Sequence, residues 1–257
     1  YSFNVSLVVA MALSLSSTAI ALQSLKERNL LPTHAGNSAF SVLLFQDIAV
    51  IPILAVLPAL GVVVGDTDES ALLGLLKAAA VIGAIVVGGH YLTRPIFRYI
   101  GNTGIREIFT AFALLLVFGI SLLVNAVGMS MALGAFLAGV LLAESEYRHE
   151  LEVEIEPFKG LLMGLFFISV GMSIDFGLLF RDPLTILALV VLLVLAKGLI
   201  LWVLAKAGKI PESQVSLFVF LLSQGGEFAF VIFSVASGSG VLDQATVAYL
   251  VVIEALS

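Results

Sequence analysis

Nine apolar runs of about twenty residues, separated by short polar stretches, dictate what this chain can become. They fall near 5–25, 38–60, 71–93, 106–125, 127–143, 159–175, 184–206, 214–237 and 243–257. About twenty residues is the length needed to cross roughly 30 Å of hydrocarbon as a helix, and the runs are too continuously apolar for the alternating strands of a membrane barrel. Inside lipid a helix satisfies its own backbone, so an all-α membrane protein is expected. With 60% apolar and only 12% charged residues, one water-soluble core could not hide this surface.

The basic residues say which way the spans run. Lys26, Arg28, Arg94, Arg98, Arg106, Arg148, Lys159, Lys206 and Lys209 fall in the odd-numbered loops, and Arg181 alone falls in an even one. Positive residues stay on the cytoplasmic side, so span one runs inward and the acidic stretch Asp66-Thr67-Asp68-Glu69 faces outward. Scattered in this way, the cations build no nucleic-acid groove, and the net charge of -6 argues the same. Without cysteine there is no disulfide, thiolate metal site or cysteine nucleophile. The chain opens without methionine and closes inside an apolar run, which leads us to expect a piece truncated at both ends.

Two spans carry helix-weakening residues at membrane depth: Ser14-Leu15-Ser16-Ser17-Thr18 in span one and Ser223-Gln224-Gly225-Gly226-Glu227 in span eight. By the charge alternation these spans are antiparallel, and each is followed by another span. That is the pattern of an inverted repeat whose broken helices cross near the midplane and form an ion site from their backbone ends. The mate of span seven would lie before Tyr1.

Asp47 sits deep in span two. A carboxylate at the bilayer centre costs about 2.5–3.5 kcal/mol even on the lenient insertion scale, so its charge must be cancelled. A permanent protein partner would make it structural; a proton and a cation competing for it would make it the centre of an antiporter. Lys197, midway along span seven, either neutralises Asp47 when no cation is bound or ties the two halves together, and both readings place it near Asp47. Glu227 beside the glycine break takes either a structural role, accepting freed backbone amides, or a role in transport. Ser16, Ser17 and Thr18 offer oxygens to a hard cation such as potassium or sodium, or bond to their own backbone. Small-residue pairs, Ala135 with Gly139 and Gly160 with Gly164, allow close helix contact. The acidic stretch holding His149, Glu150, Glu152, Glu154 and Glu156 reads as a solvated charged helix or as a docking surface for a soluble regulatory domain.

The strings Ser16-Ser17-Thr18-Ala19-Ile20-Ala21, Phe45-Gln46-Asp47-Ile48-Ala49, Glu146-Tyr147-Arg148-His149, Ile155-Glu156-Pro157-Phe158-Lys159-Gly160 and Gly171-Met172-Ser173-Ile174-Asp175-Phe176 resemble those of the Kef-type glutathione-gated potassium efflux systems, in the second monovalent cation:proton antiporter family. The likeness runs through nearly the whole chain. It implies an inverted-repeat cation/proton antiporter fold with two crossed discontinuous helices, in a homodimer of the bacterial inner membrane. The present chain would be a partial transport domain, with a moving core at about 1–60 and 184–257 and a dimer or linker panel at about 71–175. Asp47 would be the ion-binding aspartate, with potassium as its metal ion, and Lys197 the core lysine. Gln46 stands where sodium-selective relatives carry a second aspartate; with one carboxylate fewer, we expect a larger, weakly hydrated ion exchanged one for one with a proton. His149 and the glutamates after it would contact a C-terminal nucleotide-binding domain outside this chain, which would also carry the glutathione response and an ancillary oxidoreductase subunit. The rivals are a gated potassium channel of the same fold, a sodium:proton antiporter, and an intramembrane aspartyl protease. The protease needs a second aspartate at membrane depth, and apart from Glu227 and Glu254 the remaining acids sit in loops or near span ends.

Overall fold

A computed structural model describes residues 2–62, 68–101, 106–143 and 145–257. Asp66, Thr67 and Glu144 lie outside the described residues, as do the side chains of Asp68, Glu69, Lys77, Arg94, Arg106 and Glu154. The described chain is a succession of helices with no strand: α1 (Phe3–Ser14), α2 (Thr18–Glu27), α3 (His34–Val62), α4 (Asp68–Gly101), α5 (Arg106–Ala126), α6 (Met131–Ala143), α7 (Arg148–Ser173), α8 (Phe176–Arg181), α9 (Pro183–Ala207), α10 (Glu212–Leu222), α11 (Glu227–Gly238) and α12 (Gln244–Leu256).

Both expected breaks are present. Span one is α1 and α2 separated by Leu15, Ser16 and Ser17, and span eight is α10 and α11 separated at residues 223–226. Counting each broken pair as one, six spans among the described residues are long and apolar enough to cross a membrane. Three more apolar helices, Ala79–Gly89, Met131–Ala143 and Gln244–Leu256, are shorter. The fifth expected span, 127–143, thus loses its first turn. Gly128 has φ 88°, and the Ser130 hydroxyl accepts the Leu133 amide, so the helix starts at Met131. Its 13 residues reach about 20 Å at 1.5 Å per residue.

The chain divides into two compact units, Tyr1–Ile53 with Val170–Ser257, and Leu54–Ser169. The division falls inside α3 and inside α7. In the first unit, Ala21, Leu25, Ala39, Leu43, Leu201, Phe218 and Leu222 bring α2, α3, α9 and α10 together in one core, while Ile186, Val190, Val252 and Ile253 join α9 to α12. The α2 and α9 ends turn sharply at Asn29 (φ 53°) and Lys209 (φ 54°), whose left-handed backbone lets the Leu30 and Ile210 amides reach back to Leu25 and Ala205.

In the second unit Phe97, Phe109, Phe112 and Tyr147 pack ring to ring, tying the end of α4 and the start of α5 to the turn before α7. A close backbone contact there is made by Gly134, where an added Cβ would stand 2.5 Å from the Ser121 Cα. Gly139, Gly160 and Gly164 have open space at that position, so the small-residue spacings seen in the sequence do not make the contact.

The acidic stretch is helical, as its reading as a solvated charged helix expects. It is the beginning of α7, which runs unbroken from Arg148 into the apolar span. Glutamate and leucine are good helix formers, and acids at a helix start complement its dipole, so nothing stops the helix from extending past the membrane-length segment. His149, Glu150, Glu152 and Glu156 are exposed along it. His149 Nδ1 lies 3.9 Å from Glu152 Oε2, one turn on.

Candidate functional site

The site grows from the backbone ends that the two breaks release. A helix interrupted at membrane depth leaves carbonyls without partners on one stub and amides without partners on the other. The breaks meet directly: the Ser16 hydroxyl donates to the Leu222 carbonyl at 2.6 Å, and Gln224 Nε2 donates to the Ser17 carbonyl at 3.5 Å. A Cβ on Gly226 would stand 3.0 Å from the Leu15 carbonyl carbon and 3.1 Å from that of Ser16. Only a residue without a side chain lets the two backbones approach so closely.

Asp47 reaches this crossing from α3. It is half-buried, and its Oδ1 accepts the Thr18 hydroxyl at 2.9 Å, at the first turn of α2. Glu227, at the first turn of α11, is near Asp47, and Glu227 Oε2 is buried with no hydrogen-bond partner among the described residues. Among the described residues no lysine, arginine or histidine forms a salt bridge with Asp47. Next to it, Gln46 spans the first break: its Oε1 accepts the Ser16 amide at 3.0 Å and its Nε2 donates to the Ser14 carbonyl at 3.2 Å.

The hydroxyls divide their work. Ser16 crosses to the other break, and Ser17 caps α2 by accepting the Ile20 amide at 3.3 Å. Thr18 alone faces Asp47. The structure therefore brings Asp47, Thr18 and Glu227 together. It places Gln46, Ser16 and Ser17 in the scaffold around them.

The bonds of Lys197 fit the reading in which it ties the two halves together. It is only 8% exposed, and its ammonium donates to the Leu15 carbonyl and to the Gln224 carbonyl, at 2.7 Å each. It thereby satisfies the carbonyl stubs of both breaks, where a cation is favoured by the half-helix dipoles. Glu227 does not take the freed amide at Gly226, which donates to Glu254 Oε1 at 2.7 Å, from α12. Glu254, one of the two acids that the sequence left at membrane depth besides Asp47, was given no role in the site there. The signal that finds it is its distance from the break, which matches the distance from span one's break to Gln46 and Asp47. The described residues contain no group of three or more histidine, aspartate or glutamate side chains able to hold a metal ion. A monovalent cation, with one carboxylate and neutral oxygens, does not need one.

Two crossed, interrupted helices inside an all-α membrane domain, with one carboxylate lacking a basic partner at the crossing, define an ion-transport membrane domain. The chain belongs to the sodium/hydrogen exchanger family, whose transmembrane description matches residues 1–257. It is 55% identical over 242 residues to the glutathione-regulated potassium-efflux system protein KefC of Klebsiella pneumoniae subsp. pneumoniae, and 52% identical over 242 residues to that of Escherichia coli O45:K1. These alignments cover 94% of this chain and 39% of each relative, so the chain spans about two fifths of the length of the relatives it matches. The Kef-type resemblance read from the motifs thus holds, and these relatives are transport proteins, not enzymes.

Proposed function

We propose that this chain is the membrane domain of a potassium:proton antiporter, with Asp47 alternately carrying potassium and a proton while an elevator-like movement exposes it to either side. The observation that carries the reading is the company Asp47 keeps: a hydroxyl, a second acid and no bound cationic side chain. An anion so placed in a membrane must be neutralised by something small and exchangeable. Proton and cation then compete for one charge, which is the minimum arrangement for coupled exchange. Potassium is the substrate named for the relatives at 52–55% identity, and with the amide of Gln46 tied to the first break the site has no second aspartate beside Asp47. The family's own description names sodium, which favours a sodium:proton exchanger as second reading, and replacing potassium by sodium in the transport assay separates the two.

Several further assignments belong to the same reading: the bacterial inner membrane, a homodimer, and a soluble nucleotide-binding domain that brings the response to glutathione. The exposed acidic start of α7 is where such a domain would make contact.

The test is transport by Asp47→Asn in proteoliposomes. Asparagine keeps the acceptor for Thr18 and cannot take up a proton. Potassium-driven proton movement is expected to fall to background. Robust coupled exchange by this variant would defeat the proposal. A wild-type protein that passes potassium without moving protons would make it a channel.

A further inference from the structure

Lys197 answers the C-terminal stubs of α1 and α10 with a positive charge, and the N-terminal stubs of α2 and α11 call for the opposite. At α2 the Ser16 amide is taken by Gln46, 30 residues further along the chain, with Asp47 next to it. At α11 the Gly226 amide is taken by Glu254, 28 residues further along. In both halves the acceptor sits on the helix that follows the break. Glu254 is therefore the second half's counterpart of the Gln46–Asp47 pair, and it bears a charge where Gln46 has a neutral amide.

That charge is well hidden. Glu254 is 4% exposed, and its second oxygen, Oε2, is buried without a hydrogen-bond partner. A buried carboxylate needs compensation, and neighbouring helices limit the choice. The α12 helix packs on α9 and α11. On α11 the only charged residue is Glu227, at the start of the helix. On α9 the candidates are Lys197 and Lys206, and the Lys206 ammonium is bound to Glu212. Lys197 remains. Its bond to the Gln224 carbonyl and Glu254's bond to the Gly226 amide fall two residues apart on one break.

We propose that Glu254 is a positioning residue for exchange: its carboxylate is the counter-charge that holds the Lys197 ammonium on the carbonyl stubs of the crossing and so keeps it from competing with potassium for Asp47. The inference rests on the antiport reading above. It assigns the lysine to the second half's acid and leaves the first half's acid free for cargo.

The experiment uses the full-length protein in proteoliposomes, with proton movement followed against potassium concentration. Glu254→Gln keeps an acceptor for the Gly226 amide and removes only the charge. The KM for potassium is expected to rise about tenfold with the maximal rate within about twofold, because the released ammonium now opposes cation binding. Adding Lys197→Met to that variant is expected to return KM close to its starting value. A Glu254→Gln variant with unchanged KM overturns the inference, even if its melting temperature falls, since a purely structural prop would behave in that way. A double variant with KM still raised overturns it too. Should Glu254→Gln alone fail to fold, recovery of a cooperative melt in the double variant supports the charge pairing, and continued failure refutes it. If wild-type vesicles show no coupled proton movement, the antiport reading falls separately. The melting shifts of the single and double variants then decide the pairing, non-additive shifts supporting it and additive ones overturning it.

Discussion

Gln46 and Asp47 are neighbours with opposite duties. Gln46 spends both ends of its amide on the broken backbone, accepting from Ser16 and donating to Ser14, whereas Asp47 makes one bond, to Thr18. Leaving a buried backbone donor or acceptor without a partner costs about 1–3 kcal/mol. Gln46→Ala is therefore expected to lower the melting temperature of the detergent-solubilised protein markedly, and a melt within a degree of wild type would contradict this account. Asp47 was legible in the sequence because a carboxylate inside an apolar run has few explanations. The bridging by Gln46 was not, because it joins side chain to backbone across 30 residues and leaves no local pattern. For the same reason Lys197 was recognised as a buried charge while its partners were not: carbonyls exposed by a break are invisible in a string of side chains.

At the scale of helices, the breaks matter more than the spans. Both could be read from clustered serines and glycines, and the structure adds that their crossing depends on one glycine meeting the other break's backbone. Gly226→Ala would put a methyl group 3.0–3.1 Å from Leu15 and Ser16 main-chain atoms, tighter than most carbon contacts, and main chain at a helix crossing gives way less readily than a side chain. Gly238, the last residue of α11, has open space around the same position and provides the control. Potassium-driven proton movement is expected to be lost in Gly226→Ala and retained in Gly238→Ala. Equal activities would mean that the crossing has room to spare. The acidic start of α7 shows where local reading falls short at this scale. Charge alone marked it as solvated, but helix propensity made it continuous with the membrane segment, and no proline or glycine before Pro157 interrupts it.

For the whole molecule, the chain passes from one compact unit to the other inside helices and not in loops, within α3 between Ile53 and Leu54 and within α7 between Ser169 and Val170. Both crossings carry a helix-weakening residue close by. Pro52 lacks the amide that would bond one turn back, and Gly171 adds backbone freedom to α7. Sharp helix bends usually trace to such residues. Gly171 has open space around its missing side chain, so alanine fits there without a clash. Gly171→Ala should accordingly stabilise α7, by about 0.5–1 kcal/mol. If α7 must bend at this boundary for Asp47 to change sides, the same substitution slows turnover while leaving the KM for potassium near that of the wild type, because the ion site itself is untouched. Thermal melts and transport rates on one preparation check both halves of the expectation. A stabilised variant that turns over at the wild-type rate would mean that α7 stays straight through the cycle.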